Sequence, residues 1–214
     1  MQRRSWILLL TLLLAAGNLY AVGTGQDVET TKSEESSRAT GRAILAGGCF
    51  WCMESALEQL DGVEEVISGY TGGQTRNPAY QEVSAGGTGH AEAVEVHYDP
   101  QKISYTRILE VFWKNIDPTD AGGQFVDRGS QYRSEIFYLD EEQKKLAEDS
   151  KRKLAASGYF DKPLVTGITR AGAFYPAEEY HQDYYAKNPL RYLFYTSGSG
   201  RKAFIEKTWG KQGD

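Results

Sequence analysis

Ala43-Ile44-Leu45-Ala46-Gly47-Gly48-Cys49-Phe50-Trp51-Cys52-Met53-Glu54 is the stretch on which the fold of this chain turns. Four apolar residues run without a break and stop at paired glycines, as a buried strand does when it ends in a tight turn. Beyond the glycines the period changes. Phe50, Met53, Ala56, Leu57 and Leu60 recur at helical spacing until Asp61-Gly62 closes the pattern. Cys49 is therefore predicted on a strand-to-helix turn, at or before the first helical turn. It and Cys52 are the only cysteines among 214 residues, and two large aromatics fill the gap between them.

Outward from this unit, strands and helices interleave. Residues 63–70 read as a second strand and 91–98 as a third, ending at Asp99-Pro100. In the third, Glu92 alternates onto one face with Val94 and Val96. Ser104 is placed to cap a helix whose apolar stripe is Ile108, Val111 and Phe112. Strands follow over 134–139 and 164–170. A charged helix opens at the Asp140/Gln143 capping pair and runs to about 156, and a short helix covers 176–185. The glycine-rich stretches 71–89 and 115–130 are loops, and connections of that length are often functional. The pattern predicts an α+β, two-layer α/β sandwich with long irregular loops, not a doubly wound parallel sheet.

The N-terminal segment does not belong to that domain. Arg3-Arg4 precede an apolar run of about a dozen residues, the length of a secretory h-region and short of the roughly 20 needed to span a bilayer. Residues 1–21 are read as a signal peptide, with an uncleaved anchor as the alternative, which implies export to a periplasm or cell envelope, or secretion. Residues 22–40 hold few apolar side chains to offset ordering entropy and read as a disordered linker. The catalytic domain is taken as 41–214. A net charge of −5 argues against nucleic acid as partner, since phosphate binding needs a basic face.

Paired thiols at this spacing can serve several chemistries. A zinc site needs three or four ligands, and beyond the two cysteines only His90, His97 and His181 are at hand, so no metal is expected. A structural disulfide closing so small a loop contributes little chain entropy. A dithiol of the thioredoxin kind shares the CxxC spacing, but Phe50-Trp51 would crowd a site meant to receive another protein's disulfide. A redox enzyme for a small sulfur compound fits better. A helix N-terminus favours the thiolate of Cys49. Phe50 and Trp51 make an apolar wall suited to a thioether methyl. Cys52 is placed to resolve a sulfenic acid on Cys49. A non-catalytic binding module with tyrosine-rich loops is the remaining class.

Five ordered motifs give the chain a family resemblance: Gly48-Cys49-Phe50-Trp51, then Gly69-Tyr70-Thr71-Gly72-Gly73 with Asn77-Pro78-Ala79-Tyr80, then Gly89-His90-Ala91-Glu92-Ala93-Val94, then Asp127-Arg128-Gly129-Ser130-Gln131-Tyr132-Arg133-Ser134, and last Phe174-Tyr175-Pro176-Ala177-Glu178-Glu179-Tyr180-His181-Gln182. From about 42 to 189 the chain resembles the A-type peptide methionine sulfoxide reductases. The resemblance implies an α+β sandwich with a ferredoxin-like core, reduction of the S epimer of methionine sulfoxide, and protein repair after oxidative damage. It implies no cofactor beyond an external thiol reductant such as thioredoxin, and a monomer is expected. By resemblance Cys49 is the nucleophile, Phe50 and Trp51 hold the substrate methyl, and Glu92 donates a proton to the sulfoxide oxygen. Tyr80 and Tyr132 hydrogen-bond that oxygen, Asp127 supports the network, and Tyr192 matches a third family tyrosine. His90 and His181 are read as structural.

The chemistry asks for such a set on its own terms. Sulfoxide oxygen leaves poorly until protonated, and a carboxyl can protonate it near neutral pH only if burial raises its pKa. The chain departs from many family members at Cys52, where they have glycine and place recycling cysteines in a C-terminal tail. Here residues 190–214 hold no cysteine.

Overall fold

The computed structural model describes residues 40–210. The export signal predicted over 1–21 and the linker over 22–40, Thr40 apart, lie outside the described residues. In chain order the elements are β1 (Gly41–Gly47), α1 (Phe50–Glu58), β2 (Val63–Thr71), α2 (Tyr80–Ser84), β3 (Ala91–Tyr98) and α3 (Tyr105–Lys114). There follow β4 (Gly123–Gln124), β5 (Asp127–Arg128), β6 (Ser134–Tyr138), α4 (Glu141–Ala155), β7 (Gly167–Arg170), β8 (Tyr175–Pro176), α5 (Tyr184–Lys187), α6 (Pro189–Gly198) and α7 (Arg201–Trp209).

Six strands form one sheet in the order β7-β6-β1-β3-β2-β8, antiparallel except for the β6–β7 pair. Within it, β1-α1-β2-β3-α3-β6 is a βαββαβ unit with strand order β6-β1-β3-β2, so the predicted ferredoxin-like core is borne out. One face of the sheet, carrying Leu45, Val66, Val94 and Val96, packs on Phe50, Met53 and Leu57 of α1 and Ile108, Leu109 and Phe112 of α3. The other face carries Ile44, Ala46, Ala91, Ala93 and Phe137 and is covered by Leu139, Ala171 and Phe174. Burial on both faces explains why 43–46 is an unbroken apolar run instead of an alternating one.

Local signals act as read. Ser104 Oγ accepts from the N–H of Arg107 at 3.2 Å, and Asp140 Oδ1 accepts from Gln143 at 2.8 Å, each cap stabilising its helix by about 1 kcal/mol. The Gln143 side chain does not close a capping box. It accepts from Leu139 N at 3.0 Å and donates to Arg42 O at 2.6 Å, tying α4 to β1.

Several expectations need correction. The strand read over 164–170 is confined to Gly167–Arg170. The helix read over 176–185 does not form: β8 is followed by a single 3-10 turn, Glu179–His181, and then by α5. Its polar side chains serve neighbouring backbone instead. Gln182 bonds Ser68 N, Ser68 O and Ala177 O at 2.9, 3.0 and 2.9 Å, and Glu178 accepts from Tyr80 N and Tyr70 Oη, both at 2.9 Å. The loop 71–89 contains α2, the loop 115–130 contains the β4–β5 ladder, and the tail folds as α6 and α7. Among the described residues, no helix is long and apolar enough to cross a membrane.

Candidate active site

β1 delivers the chain to the site through Gly48, whose φ of +83° is open to glycine and strained for other residues. A Cβ there would also stand 2.5 Å from Gln124 Cβ. Cys49 occupies the N-cap position of α1, and its carbonyl accepts from Cys52 N at 3.2 Å and Met53 N at 3.4 Å. No side chain of α1 caps its own first turn. The carboxylate that meets it comes from the sheet: the N–H of Phe50 donates to Glu92 Oε2 at 3.1 Å. The β2–β3 register sets Glu92 opposite Tyr70, and Glu92 is 2% exposed.

Burial pushes the Glu92 carboxyl up to about 8, the charges of Asp127 and Cys52 add to the rise, and only the Phe50 N–H opposes it. Glu92 is thus mostly a proton donor at neutral pH. Both cysteines are free and buried, and their thiols are hydrogen-bond partners. Burial, the bond to Cys52 and the charges of Cys52 and Glu92 raise Cys49 well above the ordinary thiol value. Cys52 is held down to about 7, first by the hydrogen bond from Cys49 and then by the charge of Arg201. Burial and the partner thiol thus oppose the helix end at Cys49, while the bond from Cys49 and the charge of Arg201 favour ionisation of Cys52.

An aromatic wall stands over the thiols. Trp51 is half-buried and stacks on Tyr184 with centroids 3.8 Å apart and planes at 8°. Its Nε1–H donates to His181 Nδ1 at 3.2 Å, which places the His181 proton on Nε2. Burial lowers the His181 pKa, so the ring is neutral near pH 7. The Tyr80 ring lies 4.4 Å from that of His181, and burial with the Glu92 charge pushes its phenol up to about 12. Tyr132 is raised by burial and by the charges of Glu92, Tyr80, Asp127 and Cys49. Phe50 is 1% exposed beneath Trp51, so Trp51 offers the open wall and Phe50 the floor.

Cys49, Glu92, Tyr80, Tyr132, Asp127, Phe50 and Trp51 are all brought together. Tyr192 is not on the Trp51 wall; its hydroxyl serves Cys52 and Ser55. The tyrosine that joins the network is Tyr195, one helical turn further on. It donates to Asp127 Oδ2, holds its hydroxyl beside Cys49, and meets Trp51 edge-on at 6.0 Å. Arg201, also missed, sits beneath Cys52. A signal for Tyr195 was present: Asn188-Pro189 followed by Tyr192 and Tyr195 at a three-residue step is a helix start with one repeated face, and the pattern does not reach Arg201. Among the described residues, no group of three or more His, Cys, Asp or Glu is placed to hold a metal ion.

Against known proteins, residues 41–213 match the family model described as peptide methionine sulfoxide reductase. The chain is 54% identical over 172 residues to the peptide methionine sulfoxide reductase MsrA of Bacillus licheniformis, covering 80% of this chain and 95% of that one. It is 56% identical over 168 residues to MsrA of Streptococcus agalactiae serotype III, covering 78% and 98%. Among solved structures it resembles Mxr1 from Saccharomyces cerevisiae in reduced form, with TM-score 0.66 and 32% identity over 70% of this chain and 86% of that one. The fold of Mxr1 in complex with Trx2 is similar at TM-score 0.50 and 22% identity, over 72% and 91%. The chain belongs to the peptide methionine sulfoxide reductases, and within them to the A type, oxidoreductases that return methionine (S)-sulfoxide to methionine by thiol chemistry.

Proposed function

We propose that Cys49 is the nucleophile, Glu92 the acid and Cys52 the resolving thiol of this reaction, with a thioredoxin-type dithiol as the reductant. The observation that carries this is the placement of the buried Glu92 carboxyl on the N–H of Phe50, at 3.1 Å and one residue beyond Cys49, at the start of the helix that also holds Cys52. The sulfoxide methyl lies against Trp51 over Phe50, and its oxygen points to Glu92, Tyr80 and Tyr132. Asp127 orients Tyr195, whose hydroxyl reaches Cys49. As Cys49 Sγ bonds to the sulfoxide sulfur, its own proton passes to Cys52 and Glu92 protonates the oxygen. The hydroxyl then passes from the substrate sulfur to Cys49 Sγ as the bond between the two sulfurs breaks, the electron pair goes to methionine, which leaves, and Cys49 is left as a sulfenic acid. Cys52 then attacks Cys49 sulfur. An S–S bond forms, the hydroxyl leaves as water with a proton, and a dithiol reductant restores both thiols.

Mxr1, the yeast relative of this fold, is seen in complex with Trx2, which supports a thioredoxin-type partner. The chain is proposed to act as a monomer. The apolar run after Arg3-Arg4 supports export, with 41–214 as the catalytic domain behind a signal and linker.

Cys52→Ser tests the division of roles. Expected is reduction of one equivalent of the S epimer, none of the R epimer, and a Cys49 sulfenic acid trapped by dimedone. Thioredoxin-driven turnover collapses, because that reductant acts on a disulfide. Wild-type-like turnover of Cys52→Ser with thioredoxin would sink the resolving role.

A further inference from the structure

α1, α6 and α7 border a cleft of about 480 Å3 that the sulfoxide half of the reaction does not use. Cys52 stands in its wall with Ser55, Tyr192, Arg201, Lys202 and Ile205, whereas Trp51, Tyr80, Glu92 and Tyr132 do not line it. Arg201, the first residue of α7, is 5% exposed. One of its terminal nitrogens donates to Gly47 O at 3.0 Å and the other to Asn115 O, and the guanidinium lies 4.7 Å from the centre of the Phe125 ring. Its Nε is buried and has no hydrogen-bond partner among the described residues. A buried guanidinium keeping an unused donor beside a thiol is a place for an anion. The cleft wall carries Arg201 and Lys202 against Glu206, a balance that draws a thiolate inward.

We propose that this cleft is the reductant's port: a dithiol reaches Cys52 through it, with Arg201 balancing the charge on sulfur, while the sulfoxide enters on the Trp51 side. The proposal rests on the Cys49–Cys52 disulfide of the preceding reading. The incoming thiolate attacks Cys52 Sγ, the Cys49–Cys52 bond breaks, and Cys49 leaves as a thiolate that takes up the proton released by the reductant's second thiol. The reductant's second thiol then attacks its own sulfur in the mixed disulfide. Cys52 departs as a thiolate beside Arg201, and the reductant is left as its disulfide. Arg201 acts here as a positioning residue, and its charge and the Tyr192 hydroxyl both favour the ionised Cys52.

The test starts from wild-type enzyme oxidised with one equivalent of methionine sulfoxide, the loss of two hydrogens being read by intact mass. A thioredoxin with its second cysteine replaced by serine is added, and the mixed disulfide is mapped by peptide mass. It is expected on Cys52. Ile205→Trp narrows the cleft, and thioredoxin should re-reduce that variant at least tenfold more slowly relative to its own single-turnover rate with sulfoxide. In a Cys49→Ser background, Arg201→Met should raise the pH of half-maximal Cys52 alkylation by about one unit, and Arg201→Lys should restore most of it. A mixed disulfide on Cys49, or re-reduction of Ile205→Trp at the wild-type rate, overturns the port while leaving the disulfide reading intact. An oxidised wild type that has lost no hydrogens overturns the disulfide and the port together.

Discussion

The N–H of Phe50 and the carboxylate oxygen of Glu92 meet at 3.1 Å, joining the first turn of α1 to β3 at the point where Cys49 enters the helix. The contact is the one feature that lowers the Glu92 pKa, and it is outweighed by burial. A helix N-terminus favours an anion at its N–H groups. Glu92 is therefore held where it can give up a proton during the reaction and still be accommodated as the carboxylate.

Glu92→Gln should slow single-turnover sulfoxide reduction by about 10²–10⁴-fold, the usual contribution of a general acid. The pH profile gives the sharper reading. The active form of Glu92 is protonated, so the wild-type rate should fall as pH rises through about 8. Glutamine does not titrate, and the alkaline limb should be missing from the variant. A Glu92→Gln enzyme with the wild-type limb would assign that limb to another group.

Tyr195→Phe removes the donor to Asp127 Oδ2 and the hydroxyl beside Cys49 while keeping the ring against Trp51. Asp127 is already raised by burial and loses one of the two influences that lower it. The expected result is a single-turnover rate reduced by roughly tenfold, on the scale of one lost hydrogen bond of about 1.4 kcal/mol. KM should change less than kcat. Tyr192→Phe, on the Cys52 side, should leave the sulfoxide step faster than Tyr195→Phe does.

Much of this site was legible in the sequence because its local signals agree with the global fold. The paired glycines, the change from an apolar run to helical spacing and the alternation through Glu92 each report a single backbone conformation. The rest depended on contacts across long separations. Glu178 and Gln182 sit in a stretch whose spacing reads as a helix, yet their side chains hold the backbone of Tyr80 and Ser68. No local pattern reports that. Likewise, Tyr192 and Tyr195 lie three residues apart on α6, yet the first faces Cys52 and Ser55 and the second Asp127 and Trp51. The Cys49 thiol shows a third limit: a position at a helix end argues for ionisation, and only the surroundings reveal that burial and its partner Cys52 oppose it.

His181, read from sequence as structural, supports the substrate wall. It takes the Trp51 N–H at 3.2 Å and packs on Phe50 at 5.0 Å and Tyr80 at 4.4 Å. His181→Ala should free the indole to turn away from Tyr184, and misplacement by an ångström can cost about 10²-fold in rate. The loss is expected in kcat/KM for methionine sulfoxide, with iodoacetamide labelling of Cys52 unchanged in rate. Equal losses in both would point to unfolding of α1 instead.

Glu54 offers a prediction about stability. It is fully buried in α1, and its Oε1 accepts from Ser68 Oγ at 3.2 Å and from Asp183 N at 3.1 Å, clasping the left-handed residue that opens α5. Its Oε2 is buried with no hydrogen-bond partner among the described residues. Burial pushes the carboxyl from 4.5 up to about 7, with the charge of Glu58 adding to the rise. A folded pKa above the unfolded one means the native state binds the proton more tightly. Glu54 thus contributes most below pH 4.5, and that contribution is lost as pH rises to about 7. Glutamine keeps an acceptor for both donors and does not titrate. Glu54→Gln should therefore gain on wild type as pH rises from 4.5 to 7, by on the order of 2 kcal/mol, and hold a constant difference above that. Glu92 titrates in an overlapping range but is present in both proteins, so the difference between their urea midpoints isolates Glu54. A difference that does not change between pH 4.5 and 8 would mean that Glu54 is ionised throughout, its charge met by the Ser68 hydroxyl and the Asp183 N–H.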